Sequence, residues 1–107
     1  MLVTFYRDSE GTVKGFQVSG HSGLGTRGND ILCSAVSVLT INTINSIETF
    51  TDDPVEVEAV NEQEGFLHFR LKTVSKESKL LLDSLVLGIQ DVEKSYGRYL
   101  STRFEEA

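Results

Sequence analysis

Along the first nineteen residues apolar side chains recur at alternate positions, and from Ile31 onward they recur every three or four. That change of period marks a passage from strand to helix. Val3 and Phe5 alternate with Leu2, Thr4 and Tyr6 in a first strand, and Phe16 and Val18 alternate with Gln17 and Ser19 in a second. Asp8-Ser9-Glu10-Gly11 reads as a turn, so the two strands form a hairpin. Residues 20–29 are a glycine-rich loop. From Ile31 to about Phe50 the apolar positions have helical spacing (Ile31, Ala35, Val38; Leu32, Val36, Leu39), with Asp30 or Asn29 as N-cap. The first half of this helix is apolar nearly all round, which predicts contact with the sheet and with something else.

Thr51-Asp52-Asp53-Pro54 ends that helix at the chain's single proline. Val55, Val57 and Ala59 alternate with Glu56 and Glu58 in a third strand, and Asn61-Glu62-Gln63-Glu64-Gly65 turns into a fourth over Phe66–Lys72. There Leu67, Phe69 and Leu71 point one way and His68, Arg70 and Lys72 the other. Ser75 to about Tyr99 forms a second helix, with an apolar stripe Leu82, Leu85, Ile89, Val92, Tyr96, Tyr99. The tail from Ser101 adds a short strand or frays. The order β-β-α-β-β-α predicts an α/β fold: a two-layer sandwich with a mostly antiparallel four-stranded sheet and two helices.

Length and charge narrow the class. The 107 residues make one domain, 1–107, with a modest core. No unbroken apolar run approaches the roughly 20 residues of a membrane span, and no basic segment precedes an apolar one at the start. These readings predict neither membrane association nor a signal peptide. One cysteine cannot form an internal disulfide, which fits a reducing cytoplasm. The net charge of −6 argues against a nucleic-acid surface and is compatible with a basic peptide or protein partner.

The candidate chemistry lies in Gly20-His21-Ser22-Gly23-Leu24-Gly25-Thr26-Arg27-Gly28-Asn29-Asp30-Ile31-Leu32-Cys33-Ser34-Ala35-Val36-Ser37. A thiol near the start of a helix and an imidazole at the end of a strand are parts a nucleophilic site needs. Placed at about the third helical position, Cys33 meets unpaired N–H groups and the positive end of the helix dipole, which favour a thiolate. The plainer reading is a small buried hydrophobe, the commonest fate of a free cysteine. His21, between glycines, reads as the base or as an ordinary loop residue. Asp30 caps the helix and thereby sets where Cys33 falls. Ser37, four residues on, shares its face and is placed to hydrogen-bond within the site or back to the Cys33 carbonyl. His68, on a strand face, reads as a partly exposed structural residue. Two histidines and one cysteine on three elements give no metal-ligand spacing, so neither metal nor cofactor is expected. Gly23-Leu24-Gly25-Thr26-Arg27-Gly28 also matches the dinucleotide-binding G-x-G-x-x-G. However, Gly20-His21-Ser22 intervene after the strand, and Glu48, at the acidic spacing, falls inside a helix.

Gly20-His21-Ser22-Gly23 followed by Gly28 to Leu39 resembles the signature of the ribosomal-processing cysteine protease family (Prp), and the resemblance extends over nearly the whole chain. It implies a bacterial, cytoplasmic, homodimeric endopeptidase that removes a short N-terminal extension from a large-subunit ribosomal protein during ribosome assembly. It also implies Cys33 as nucleophile, His21 as general base, and supporting positions at Asp30 and Ser37. Ser22, Gly23, Leu24, Gly25, Thr26, Arg27, Gly28 and Asn29 would form a substrate loop, expected to order as substrate binds. Leu24-Gly25 departs from the family, which more often carries an aromatic residue and alanine there. The competing reading is a non-catalytic nucleotide- or peptide-binding module built on the glycine loop. Alkylation by iodoacetamide separates the two, since such a module has no use for a thiolate.

Overall fold

The computed structural model describes residues 1–20, 27–60 and 66–107, with backbone alone for 27–30 and Val60. The first hairpin pairs β1 (Leu2–Arg7) with β2 (Val13–Ser19) in the register Phe5 to Phe16 and Val3 to Val18. Its turn is held by Asp8, whose Oδ1 accepts from the amides of Glu10 and Thr12 at 2.9 and 3.0 Å. Gly11 takes the left-handed conformation there, φ 84°, which glycine tolerates without a Cβ clash. β3 (Val55–Val60) and β4 (Phe66–Leu71) form the second hairpin, and β4 pairs antiparallel with β2.

The sheet has five strands rather than the four expected, in the order β3-β4-β2-β1-β5. The tail forms β5 (Ser101–Glu106), parallel to β1, with Phe104 opposite Phe5. Its polar composition hid it. Only Thr102 and Phe104 of this strand are partly buried, and the stacked Phe5–Phe104 pair, ring centroids 5.5 Å apart, anchors it. Phe104, Phe5, Phe16, Phe69 and Val57 thus form one row across the helix-covered face.

Both helices lie on that face. α2 (Lys76–Tyr96) packs over β2 and β5 and lies beside α1 (Arg27–Phe50). Leu32, Val36, Ile44 and Ile47 of α1 and Leu82, Leu85 and Ile89 of α2 join the strand residues in one core. The α2 stripe is therefore used within the molecule: Val92, Tyr96 and Tyr99 also pack against the core. Ile31, Val38 and Ile41 on α1 and Leu80 and Leu87 on α2 remain exposed. A Cβ on Gly88 would stand 3.3 Å from Leu39 Cδ2, so the helices are in close contact where Leu39 meets Gly88.

By length and composition Ile31–Phe50 is apolar enough to cross a membrane, which counting unbroken apolar runs did not reveal. One face of it, with Leu32, Val36, Ile44 and Ile47, is built into the core of this sandwich. Its buried threonines are accommodated by bonding back to the helix: the Thr40 hydroxyl donates to the Val36 carbonyl and Thr43 to Leu39, each at 2.8 Å.

Candidate active site

α1 begins at Arg27, a turn earlier than the apolar pattern implies. Asn29 and Asp30 are therefore helical residues, and the N-cap expected at one of them is corrected. The first turn is polar, so hydrophobic periodicity cannot register it. An aspartate inside the first turn is electrostatically favoured there in any case. The shift moves Cys33 to the second turn, past the leading residues whose N–H groups lack helical partners. The backbone donors of the helix start thus precede Cys33 in the chain rather than coinciding with it.

Cys33 is a free thiol of intermediate exposure. Leu32 before it is fully buried, Val36 is 2% exposed, and Ser34 after it lies in solvent. Two core anchors fix the rotation of the helix, and Cys33 occupies the flank between core and water. The buried-hydrophobe reading does not fit this placement. A nucleophile must be both held and reachable, and this position satisfies both conditions.

The flank can be identified. At about 100° per residue, Cys33 lies roughly 120° around α1 from Leu39, and Ser37 roughly 160° in the same direction across the buried stripe. Leu39 faces α2 through Gly88, so Cys33 and Ser37 look away from α2, towards the β4–β3 side. Ser37 is exposed, and its carbonyl accepts a 3.3 Å bond from the Thr40 hydroxyl.

β2 delivers the chain to the same end of the sandwich. α1 ends near Pro54, and β3 starts opposite Leu71, at the far end of the sheet from Ser19. The N-terminal half of α1 therefore lies at the Ser19 end. Gly20, the last described residue before the segment, has φ 80°. His21 and Ser22, Gly23, Leu24, Gly25 and Thr26 of the expected substrate loop lie outside the described residues, as does any order acquired on binding. Arg27, Gly28 and Asn29, assigned to that loop from sequence, belong to α1.

His68 is the other histidine. It is half-buried on the helix-free face, its ring 5.9 Å from Tyr6, paired across strands with Gln17 and Glu58. This matches its structural reading. Among the described residues no cluster of histidine, cysteine and carboxylates could hold a metal ion. The dinucleotide reading fails on topology. β2 and β3, which flank α1, are not neighbours, because β4 lies between them antiparallel to both.

A small α/β sandwich with a helix-borne, anchored and accessible thiol has the parts that a cysteine-nucleophile hydrolase needs. The family model described as Cysteine protease Prp matches residues 1–101, and the chain belongs to this family of cysteine proteases. It is 24% identical over 99 residues to the ribosomal processing cysteine protease Prp of Staphylococcus aureus, spanning 92% of each chain. Its identity to the Bacillus subtilis protein of that name is 17% over 98 residues, 87% of each. Solved structures share the fold. S. aureus Prp with a covalently linked product peptide superposes with TM-score 0.86 at 24% identity, covering 97% of this chain and 98% of that one. A Streptococcus mutans protein superposes at 0.87 and 25% identity, covering 99% and 94%.

Proposed function

We propose that this cysteine protease removes a short N-terminal extension from a large-subunit ribosomal protein, working through a dyad of Cys33 and His21. The half-exposed Cys33, held on its helix by buried Leu32 and Val36 in a chain of the Prp family, is the observation that carries this reading. His21 takes the thiol proton, and the Cys33 sulfur attacks the scissile carbonyl. The tetrahedral oxyanion collapses, His21 returns the proton to the leaving amine, and a thioester remains on Cys33. Water, deprotonated by His21, attacks that thioester, releasing the carboxylate product and restoring the thiol. Oxyanion donors come from backbone N–H groups outside the hydrogen-bonded body of α1. Asp30 and Ser37 support the dyad, Ser37 from the same flank as Cys33.

Complexes of the S. aureus protein with a covalently linked product peptide and with a substrate peptide support a peptide substrate. The single free cysteine is consistent with a reducing cytoplasm, where ribosomal proteins are processed. Exposed Ile31 and Val38 on α1 and Leu80 and Leu87 on α2 support a homodimer packed through the helical layer. Incubation with the extended ribosomal protein followed by mass spectrometry tests the substrate assignment. A trimmed protein and a released peptide are expected. An intact substrate, or equal trimming by Cys33→Ala, would contradict the reading.

A further inference from the structure

β3 is an edge strand that the helices leave progressively uncovered. Its inward-facing residues are Val55, Val57 and Ala59, opposite Leu71, Phe69 and Leu67. Val55 packs against the core, Val57 is 47% exposed, and Ala59 is exposed. The bare part lies towards the end of the sheet where β2 finishes and α1 begins. The flank of α1 that carries Cys33 and Ser37 is turned towards this side of the sheet, away from α2. Among the described residues, the sole strand pairing of β3 is to β4, so its outer edge faces away from the sheet.

The geometry points to β3 as the docking edge for the substrate, which we infer adds to it as an extended strand leading to Cys33. Strand addition supplies main-chain hydrogen bonds for affinity and alternate side-chain positions for selection. Side chains on the helix side would cover Val57 and Ala59, which calls for apolar residues. Those on the opposite side would lie beside Glu56 and Glu58, which calls for lysine or arginine. Arg70 and His68 face the same carboxylates from β4, and Lys72 Nζ lies 3.6 Å from Glu56 Oε1, so the charge preference is the weaker of the two. The expected substrate is therefore an extended segment with alternating apolar and basic residues. A second copy of the chain fits this edge less well, because its charged strand face repeats Glu56 and Glu58 against itself.

This inference rests on the proteolytic reading, and its test separates the two. The probe is a synthetic peptide of the ribosomal protein's N-terminal extension, spanning the cleaved bond. Added to full-length Cys33→Ala, it is expected to slow amide exchange across residues 55–60. Val57→Glu and the solvent-exposed Ala59→Glu are expected to raise KM roughly tenfold, with kcat and the rate of Cys33 alkylation by iodoacetamide held. Glu58→Lys should raise KM less, and only at low salt. Cleavage with no slowing at 55–60 and an unchanged KM in Val57→Glu would overturn the inference. If the wild-type chain leaves the peptide intact while 55–60 still slow, proteolysis fails and the docking edge stands. If neither is seen, both fall.

Discussion

Gly20 sits at φ 80° directly before His21 in the sequence, and a Cβ added to it would have Met1 Cα as its nearest neighbour, 4.0 Å away. Space is available, so the cost of a side chain there is in the backbone. An L-residue in the left-handed region loses roughly 1–2 kcal/mol. Gly20→Ala should lower stability by about that amount and depress kcat further than melting accounts for, because it redirects the chain into the proposed base. Wild-type turnover in a variant that melts early would dissociate Gly20 from the site. Cys33→Ala and His21→Ala should each abolish cleavage with native circular dichroism. Cys33→Ser should be nearly inactive, since a hydroxyl is poorly activated by histidine alone. His68→Ala provides the contrast: lying against Tyr6 on the helix-free face, it should leave cleavage intact. Loss of activity there would reassign the base.

The elements are tied together at the end of the sandwich opposite Cys33. The amide and hydroxyl of Ser75, the N-cap of α2, donate to Asp53 Oδ2 at 2.9 and 2.7 Å, and the Ser75 hydroxyl accepts from the Ser78 amide at 3.2 Å. Thr51 joins the same cluster through its Oγ1, which accepts from Asp53 N at 3.2 Å. The exit of α1 is thus fastened to the entry of α2. Ser75→Ala should cost about 1 kcal/mol in a melt. Hydrogen bonds from the side chain of Ser78, then from Ser75, hold the Asp53 carboxyl below its ordinary 3.8. A lowered carboxylate stabilises the fold above that value and loses its contribution as pH falls through the folded pKa. The Tm gap between wild type and Asp53→Asn should therefore be complete near neutrality and shrink below pH 3.8. A gap that widens in acid would contradict this assignment.

At this scale the sequence was legible wherever one face of an element is apolar. The alternation of Val3, Phe5, Phe16 and Val18 and the stripe residues Leu82, Leu85 and Ile89 correspond to buried positions, while Val92, Tyr96 and Tyr99 are partly buried and Tyr99 lies beyond the end of α2 at Tyr96. The misread elements carry weak apolar signals. The first turn of α1 has none, and β5 depends on Phe104, whose value lies in a stack with Phe5 distant in sequence. The candidate site was legible as residue types and spacing. Which side of α1 carries Cys33 was not, because it depends on the Leu39–Gly88 contact between helices.

Across the whole molecule, the apolar positions of the two helices divide into a buried and an exposed set. The α2 stripe is consumed by the core, while Ile31, at 56% exposure, and Val38, at 67%, remain on the outer surface with Leu80 and Leu87. These exposed apolar side chains are the basis of the proposed homodimer. Sedimentation at micromolar concentration should give a species of twice the 11.8 kDa chain mass. Val38→Asp with Leu87→Asp should return it to the chain mass with the fold retained. A single species near 11.8 kDa for the wild type would exclude the dimer.

Intact-protein mass spectrometry during turnover distinguishes a Cys33 nucleophile from every alternative. Acid quenching within the first turnovers should trap a protein heavier by the acyl part of the substrate, with the adduct mapped to Cys33 and absent from Cys33→Ala. Substrate cleavage at the wild-type rate by Cys33→Ala, or an acyl adduct on any other residue, would contradict the account.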